Sequence, residues 1–212
     1  RYLALAAALC VIATACVDPQ EPGALVPPTV VDDPALPRVS IEVAGHTRDL
    51  HVREFGDPAA PVLFVLHGSA SDMRAYQPLE RYQDRYHVVF WDLRGNGLSE
   101  RVPADELDFD DMVDEIDAMR QRYSPNRRVS IIGHSWSASF VAMYLGAHPD
   151  AVDQAVLIEP PGLKDTFQEQ VGLDLNLFAG GYLDMVWSNE SLTPADHERM
   201  DYKTLMMLRS GI

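Results

Sequence analysis

One stretch near the middle of the sequence, residues 129–139, constrains the fold more than any other. An apolar run at 129–132 leads into small residues around Ser135, and residues 140–145 continue with helical character. The order is a strand, a sharp turn and a helix, with Ser135 at the apex. Small residues suit such a turn because its backbone is strained and the strand lies close to the helix. The alternative interpretation is a serine-rich turn before an ordinary helix.

The region around this stretch alternates between predicted strands and predicted helices. Apolar runs and alternating segments predict strands at 39–43, 50–55, 62–66, 87–91, 129–132 and 155–158. Apolar residues at helical spacing predict helices at 72–85 and 108–123 and a helix that ends at Ala147. The first two strands form a hairpin. This alternation predicts an α/β fold with right-handed crossovers and a mostly parallel, doubly wound sheet.

The N-terminal end of the chain differs in character from the predicted core at 39–160. Residues 1–16 contain a short apolar run that ends in small residues, which is typical of a secretory signal, and Cys16 lies in a context that resembles a bacterial lipobox. Residues 17–38 are rich in proline and acid and predict an extended linker. We therefore expect an exported protein, either secreted or lipid-anchored at Cys16 in the bacterial cell envelope, with membrane association through this segment.

Residues 161–212, at the C-terminal end, differ in their pattern from both the N-terminal segment and the core. Its apolar spacing predicts three helices with no strand between them, which indicates a partial helical cap over the sheet. We expect the sequence to stop within this cap, so that the C-terminal part of the fold is truncated.

Charge and cysteine content exclude several classes of function. The formal net charge is -15, and a protein this acidic repels phosphate backbones, so we expect no nucleic-acid partner. The core contains no cysteine, because both cysteines lie within residues 1–16. No histidine, cysteine or carboxylate spacing is typical of a metal site, so we expect neither a metal nor another cofactor.

Three motifs occur in a specific order along the core. They are His67-Gly68, Asp92-x-Arg94-Gly95-x-Gly97-x-Ser99, and Gly133-His134-Ser135-Trp136 followed by Ser137. In this order and spacing the chain resembles the α/β-hydrolase fold superfamily, and within it the proline iminopeptidase-like branch, over about residues 39–160. The third motif is similar to the nucleophile elbow of that superfamily, with Ser137 in place of its last glycine.

The resemblance implies a role for each of several site residues. Ser135 would be the nucleophile, and the backbone N–H groups of Ser69 and Trp136 would form the oxyanion hole. His67, Gly68 and His134 would border the pocket. Ser69 could alternatively be an ordinary turn residue, and Asp92 and Arg94 would shape the loop beside the site.

The acid and the base of the catalytic triad are harder to assign. Glu159 follows the last predicted strand, where some families place the acid, although its position before two prolines favours a simple loop residue. In this fold the histidine follows the acid in sequence. His148 ends the elbow helix and His197 lies in the predicted cap, and neither follows a late strand. We therefore expect the catalytic histidine, and the acid if it is not Glu159, beyond Ile212.

These residues predict a serine hydrolase that cleaves small ester or amide substrates, including short peptides, through an acyl-enzyme. The resemblance favours an aminopeptidase of the proline-releasing type, whose cap acids would bind the free ammonium group of the substrate. The available acids are Asp165, Glu169, Asp174 and Asp184. The alternatives are a carboxylesterase or lipase, and a catalytically inactive binding protein on the same scaffold. Epoxide hydrolases and haloalkane dehalogenases share the fold but use an aspartate nucleophile, and Ser135 argues against both.

Overall fold

The computed structural model describes residues 28–68, 71–103, 106–107 and 109–160. Its strands are β1 (Arg38–Val43), β2 (His46–Phe55), β3 (Val62–Leu66), β4 (His87–Trp91), β5 (Val129–His134) and β6 (Val152–Ile158). Its helices are a 3-10 helix (Met73–Asp84), α1 (Phe109–Tyr123), α2 (Trp136–Ala147) and a 3-10 turn (Pro149–Ala151). The predicted order of strands and helices is confirmed, and β6 begins three residues earlier than predicted.

The strands form one sheet in the order β1-β2-β4-β3-β5-β6. The hairpin strand β2 joins β4 in antiparallel orientation, whereas β4, β3, β5 and β6 are parallel to one another. The carboxyl ends of these four strands therefore lie at the same edge of the sheet, and the loops that follow them meet there. In an open α/β sheet this edge is where ligands bind.

Both faces of the sheet are covered, as a doubly wound fold requires. Successive residues of a strand point to opposite faces. Phe64 and Trp91 are fully buried on one face, where they belong to the same core as Ile116 of α1 and Val141 of α2. Val65 and its neighbours on the other face pack beneath the 3-10 helix. Burial of each large apolar side chain stabilises the fold by about 1.5–3 kcal/mol.

The segment before β1 differs from the extended linker predicted for residues 17–38. Thr29 and Val30 are buried, and the Val30 N–H donates a hydrogen bond to the Leu98 carbonyl oxygen at 2.8 Å. The Arg38 guanidinium donates to the Val30 carbonyl oxygen, and Asp32 accepts hydrogen bonds from the backbone and hydroxyl of Thr29. Thr29 and Val30, at the start of this segment, therefore pack against the fold, and Val30 is bonded to the loop that follows β4, whereas most of residues 31–37 are exposed.

Several predicted features lie outside the described residues. These are the signal-like segment with Cys16, the first part of the linker, Ser69, and the predicted cap at 161–212 with His197 and its acids. Within the described ranges, no helix combines the length and the apolarity that crossing a membrane would require.

Candidate active site

The turn between β5 and α2 has the strained geometry predicted from the sequence. Ser135 has a φ of 51° and a ψ of -122°, a conformation that costs a non-glycine residue about 1–3 kcal/mol. Its N–H donates to the Ile158 carbonyl oxygen at 2.8 Å, and its own carbonyl accepts from the Ala138 N–H at 2.9 Å. The residue is half-buried. The hydroxyl is therefore carried at the end of the sheet on a turn that hydrogen bonds fix on both sides.

Gly133 allows the strand and the helix to approach this closely. A Cβ atom added there would lie 2.9 Å from Val141 Cγ2 and 3.0 Å from Ala138 Cα. Because such contacts are shorter than van der Waals packing permits, any other residue would push α2 away from β5. The glycine at this position is a requirement of the turn.

Ser137 stands where the superfamily pattern has its last glycine. Its side chain is fully buried, and its Oγ accepts a hydrogen bond from the His134 backbone N–H at 3.1 Å. The same hydroxyl donates to the Leu66 carbonyl oxygen, also at 3.1 Å. The serine thus fits the turn and in addition connects it to the end of β3.

The loop after β3 lies directly against the elbow. A Cβ added to Gly68 would lie 3.1 Å from Ser135 Cβ and 2.9 Å from His134 Nδ1, so no side chain fits there. The structure therefore brings Gly68 of the His-Gly motif next to Ser135. Ser69 follows immediately but lies outside the described residues, so its role in the oxyanion hole stays a prediction.

His67 is held in one neutral tautomer. Its Nε2 accepts the backbone N–H of Leu93 at 3.0 Å, and its Nδ1 therefore carries the proton and donates to the Gly68 carbonyl oxygen at 2.8 Å. The ring is 1% exposed. Because both nitrogens are engaged, His67 is unsuited to act as a base, and it connects the loops after β3 and β4.

His134 lies between a tyrosine and a carboxylate. The Tyr76 hydroxyl is 2.6 Å from His134 Nδ1, and Glu159 Oε2 is 3.7 Å from its Nε2. Glu159 follows β6 with a φ of 48°, and its side chain is 84% exposed. The structure thus brings Glu159 to the elbow, but to His134, and its assignment as the acid stays a prediction.

The sequence motifs did not identify Tyr76, which takes part in this cluster. Its spacing only predicted that it lies on a helix. Tyr76 precedes His134 by 58 residues, and only the packing of the 3-10 helix on the sheet brings them together.

Trp136 begins α2 next to Ser135, the predicted nucleophile. Its ring packs against Phe109 and Phe140, with centroid distances of 5.3 Å and 5.9 Å. The position of its backbone N–H in the first turn of a helix favours negative charge, because the helix dipole is positive there. This environment suits the predicted oxyanion role of Trp136.

The motif after β4 organises the neighbouring loop. Asp92 accepts hydrogen bonds from the Met73 and Leu98 N–H groups, both at 2.9 Å, and from His51 Nδ1 at 3.1 Å. Burial acts to raise the pKa of Asp92, but these hydrogen bonds outweigh burial and lower the pKa. Arg94 of the same motif donates from Nε to Glu115 at 2.8 Å, with both side chains fully buried. Burial raises the pKa of Glu115 despite this ion pair.

The described part of the site contains a nucleophile candidate but no base in contact with it. Within these ranges Ser135 Oγ has no histidine hydrogen-bond partner, and His148 instead ends α2 and packs on Tyr144 at a centroid distance of 4.8 Å. The described residues also include no group of three or more His, Cys, Asp or Glu side chains arranged to hold a metal ion.

Known proteins resemble the chain over this region. A proline iminopeptidase, PfmaB of Pestalotiopsis fici, is 32% identical over 55% of this chain and 42% of its own length. The 2-(acetamidomethylene)succinate hydrolase of Mesorhizobium japonicum is 30% identical over 52% of this chain and 38% of its own length. This chain spans less than half the length of these curated relatives. The predicted resemblance to proline iminopeptidases is confirmed.

Solved structures share the architecture. A membrane phospholipase A, described as a novel bacterial virulence factor, matches with a TM-score of 0.53 and 25% identity over 61% of this chain and 41% of its own. A mutant of an epoxide hydrolase from Bacillus megaterium matches with a TM-score of 0.57 and 21% identity over 72% of this chain and 52% of its own. Residues 61–189, more than half of the 212 residues, match the family model of the alpha/beta hydrolase fold. The chain therefore belongs to the alpha/beta hydrolase fold family.

Proposed function

We propose that this protein is a serine hydrolase that cleaves small ester or amide substrates through an acyl-enzyme, with Ser135 as nucleophile. The observation that carries the proposal is the strained backbone of Ser135, at a φ of 51° between β5 and α2 and in contact with Gly68. Strain of this kind persists only where the surrounding structure enforces it, and it clusters at functional sites.

In the proposed reaction Ser135 Oγ forms a bond to the carbonyl carbon while a base takes its proton. The tetrahedral intermediate then expels the alcohol or amine, which leaves with that proton, and water hydrolyses the acyl-enzyme by the same two steps. The Trp136 N–H, at the start of α2, and the Ser69 N–H would donate to the developing oxyanion. One lost donor of this kind typically lowers kcat by about 10²–10³-fold.

The base of the proposed reaction is a histidine that the described residues do not provide. His67 is excluded because both of its ring nitrogens are engaged in hydrogen bonds. Glu159 is the candidate for the acid because it directly follows β6 and lies beside the elbow. A histidine outside the described residues would complete the triad.

The proposal is tested with p-nitrophenyl acetate and protein expressed from the complete reading frame. We expect turnover that Ser135→Ala abolishes, with unchanged thermal unfolding of the variant. We also expect the 212-residue chain alone to be no faster than its Ser135→Ala variant, because a serine without its base is a weak nucleophile. If the complete protein and its Ser135→Ala variant both hydrolyse the ester only at the rate of the buffer, the inactive binding protein is favoured instead, and equal rates above that of the buffer exclude Ser135 as the nucleophile.

Within this class we propose an aminopeptidase of the proline-releasing type, supported by the similarity to a proline iminopeptidase. The complete protein should then cleave proline p-nitroanilide and leave the N-acetylated compound intact, since the free ammonium group would be part of recognition. Equal rates on both compounds contradict this subclass. A preference for acyl esters without an amine would indicate a carboxylesterase or lipase, which the similarity to a membrane phospholipase A supports.

We also propose that the protein is exported and anchored by a lipid on Cys16. The support is the apolar run that ends at a cysteine in a lipobox-like context. Fractionation of cells should find the protein with membranes, and Cys16→Ser should remove it from them. An unchanged membrane fraction for the variant argues against the lipid.

A further inference from the structure

The hydroxyl of Tyr76 bridges the two loops that meet at Ser135. The Gly68 N–H donates to Tyr76 Oη at 3.1 Å, and Tyr76 Oη is 2.6 Å from His134 Nδ1. A phenol has one proton, and the Gly68 N–H can only donate. With a neutral imidazole, the hydroxyl therefore accepts from Gly68 and donates to His134. The His134 proton then lies on Nε2, which faces Glu159.

Tyr76 is itself held from the opposite side of the site. The 3-10 helix that carries it begins at Met73, whose N–H donates to the buried carboxylate of Asp92 at 2.9 Å. The ring of Tyr76 packs against the apolar cluster beneath this helix and lies 5.7 Å from the His134 ring, measured between centroids. Because the Tyr76 hydroxyl is bonded to both loops, the 3-10 helix that carries it also fixes where those loops lie.

Gly68 is fixed through both of its polar groups. Its N–H is bound by Tyr76, and its carbonyl oxygen accepts from His67 Nδ1 at 2.8 Å. Its Cα lies so close to the elbow that an added Cβ would be 3.1 Å from Ser135 Cβ. Loss of the Tyr76 hydroxyl would free one of these two groups, and the loop after β3 could then shift relative to the nucleophile.

We propose that Tyr76 is a positioning residue of the hydrolytic site, which acts by bridging Gly68 to His134 and so fixes the loop after β3 against Ser135. This inference rests on the proposed serine-hydrolase function. A loop that shifts by a fraction of an ångström weakens interactions made in the transition state more than it weakens substrate binding. The bridge therefore acts on kcat.

The kinetic test uses Tyr76→Phe, which keeps the ring and removes only the hydroxyl. In the complete protein with p-nitrophenyl acetate, we expect kcat to fall about tenfold while KM changes by less than about twofold. The matched control is Tyr82→Phe, on the same 3-10 helix but 36% exposed, which should leave both constants unchanged. If Tyr76→Phe leaves kcat unchanged while Ser135→Ala abolishes turnover, the positioning role is wrong and the hydrolase function stands.

A double-mutant cycle tests whether Tyr76 acts through His134. If the two side chains form one bridge, Tyr76→Phe combined with His134→Ala should be no slower than the slower single variant. If the fold-losses in kcat of the two single variants instead multiply in the double variant, the bridge is contradicted.

A spectroscopic measurement tests the bridge without any hydrolysis. In ¹⁵N spectra of the imidazoles, the His134 signals are those that disappear in His134→Ala. We expect Tyr76→Phe to shift the Nδ1 signal of His134 and Tyr82→Phe to leave it in place. An unmoved signal in Tyr76→Phe overturns the bridge. The two proposals can also fail separately. If Tyr76→Phe shifts the signal but Ser135→Ala leaves turnover unchanged, the hydrolase function is overturned and the bridge remains as a structural contact.

Discussion

The carboxylate of Asp92 connects three segments of the chain at the carboxyl end of β4. One oxygen accepts from the 3-10 helix at Met73, and the other accepts from the Leu98 N–H and from His51 on β2. Gly97 makes room for this carboxylate, because a Cβ there would lie 2.2 Å from it. The same residue that begins a sequence motif therefore sets the shape of the loop beside the elbow.

We expect Asp92→Asn to lower the free energy of unfolding by about 1–3 kcal/mol at pH 7, because the amide nitrogen would face an N–H group and leave a buried donor unpaired. Chemical denaturation monitored by tryptophan fluorescence measures this loss. The exposed Asp84→Asn is the control and should have little effect. Equal stability of Asp92→Asn and wild type would contradict this role.

The pH dependence of stability should change in the same variant. The pKa of Asp92 is lowered in the fold from an ordinary value of 3.8, so its ionised form stabilises the protein above that value. This stabilisation is lost as the pH falls through the lowered pKa. Between about pH 5 and the acid transition, the unfolding free energy of wild type should decline more steeply than that of Asp92→Asn. If the unfolding free energies of the two proteins decline with equal slope as the pH falls, the lowered pKa of Asp92 is contradicted.

Among the structural elements, the segment at 28–37 departs most from its predicted character. Its prolines and acids are typical of a linker, yet one apolar side chain, Val30, is fully buried while its neighbour Val31 is 58% exposed. The Val30 backbone pairs with Leu98 and Arg38. The start of this segment, at Val30, therefore packs on the loop that contains the second motif.

These adjacent valines provide a matched test of that packing. We expect Val30→Ala to lower the unfolding free energy by about 2 kcal/mol, since it removes two buried carbon groups worth about 0.8 kcal/mol each and leaves a cavity. Val31→Ala should change it by less than about 0.5 kcal/mol. Equal effects of the two substitutions, measured by urea unfolding, would contradict the packing of this segment.

The strands and helices could be predicted because their sequence signals are local. The run at 62–66 is apolar at every position, and only a strand buried on both faces requires that in so short a segment. The elbow could be predicted because the small residues around Ser135, such as Gly133, are required by the steric limits of a single turn. The packing of Val30 and the bridge from Tyr76 to His134 were not, because they depend on residues distant in sequence that only the folded sheet brings together.

The 212-residue chain carries an excess of acidic charge. A formal net charge of -15 on 212 residues makes the folded chain repel itself, and dissolved salt screens that repulsion. We expect the midpoint of thermal unfolding at pH 7 to rise as NaCl increases from about 0.01 M to about 0.15 M. Near the sequence pI of 4.7 the net charge vanishes, so the same increase in salt should not raise the midpoint there. A midpoint at pH 7 that falls with salt would mean that attractive ion pairs dominate.

The positive φ of Ser135 has a consequence for any attempt to engineer this protein. Glycine adopts that conformation without a Cβ penalty, so the sequence that folds most stably and the sequence that could attack a carbonyl differ at this position. Repeated selection for heat resistance alone would therefore favour glycine at residue 135, and under the proposed mechanism the resulting protein would be stable but inactive. Under that mechanism, selection would have to require turnover in every round to retain the serine.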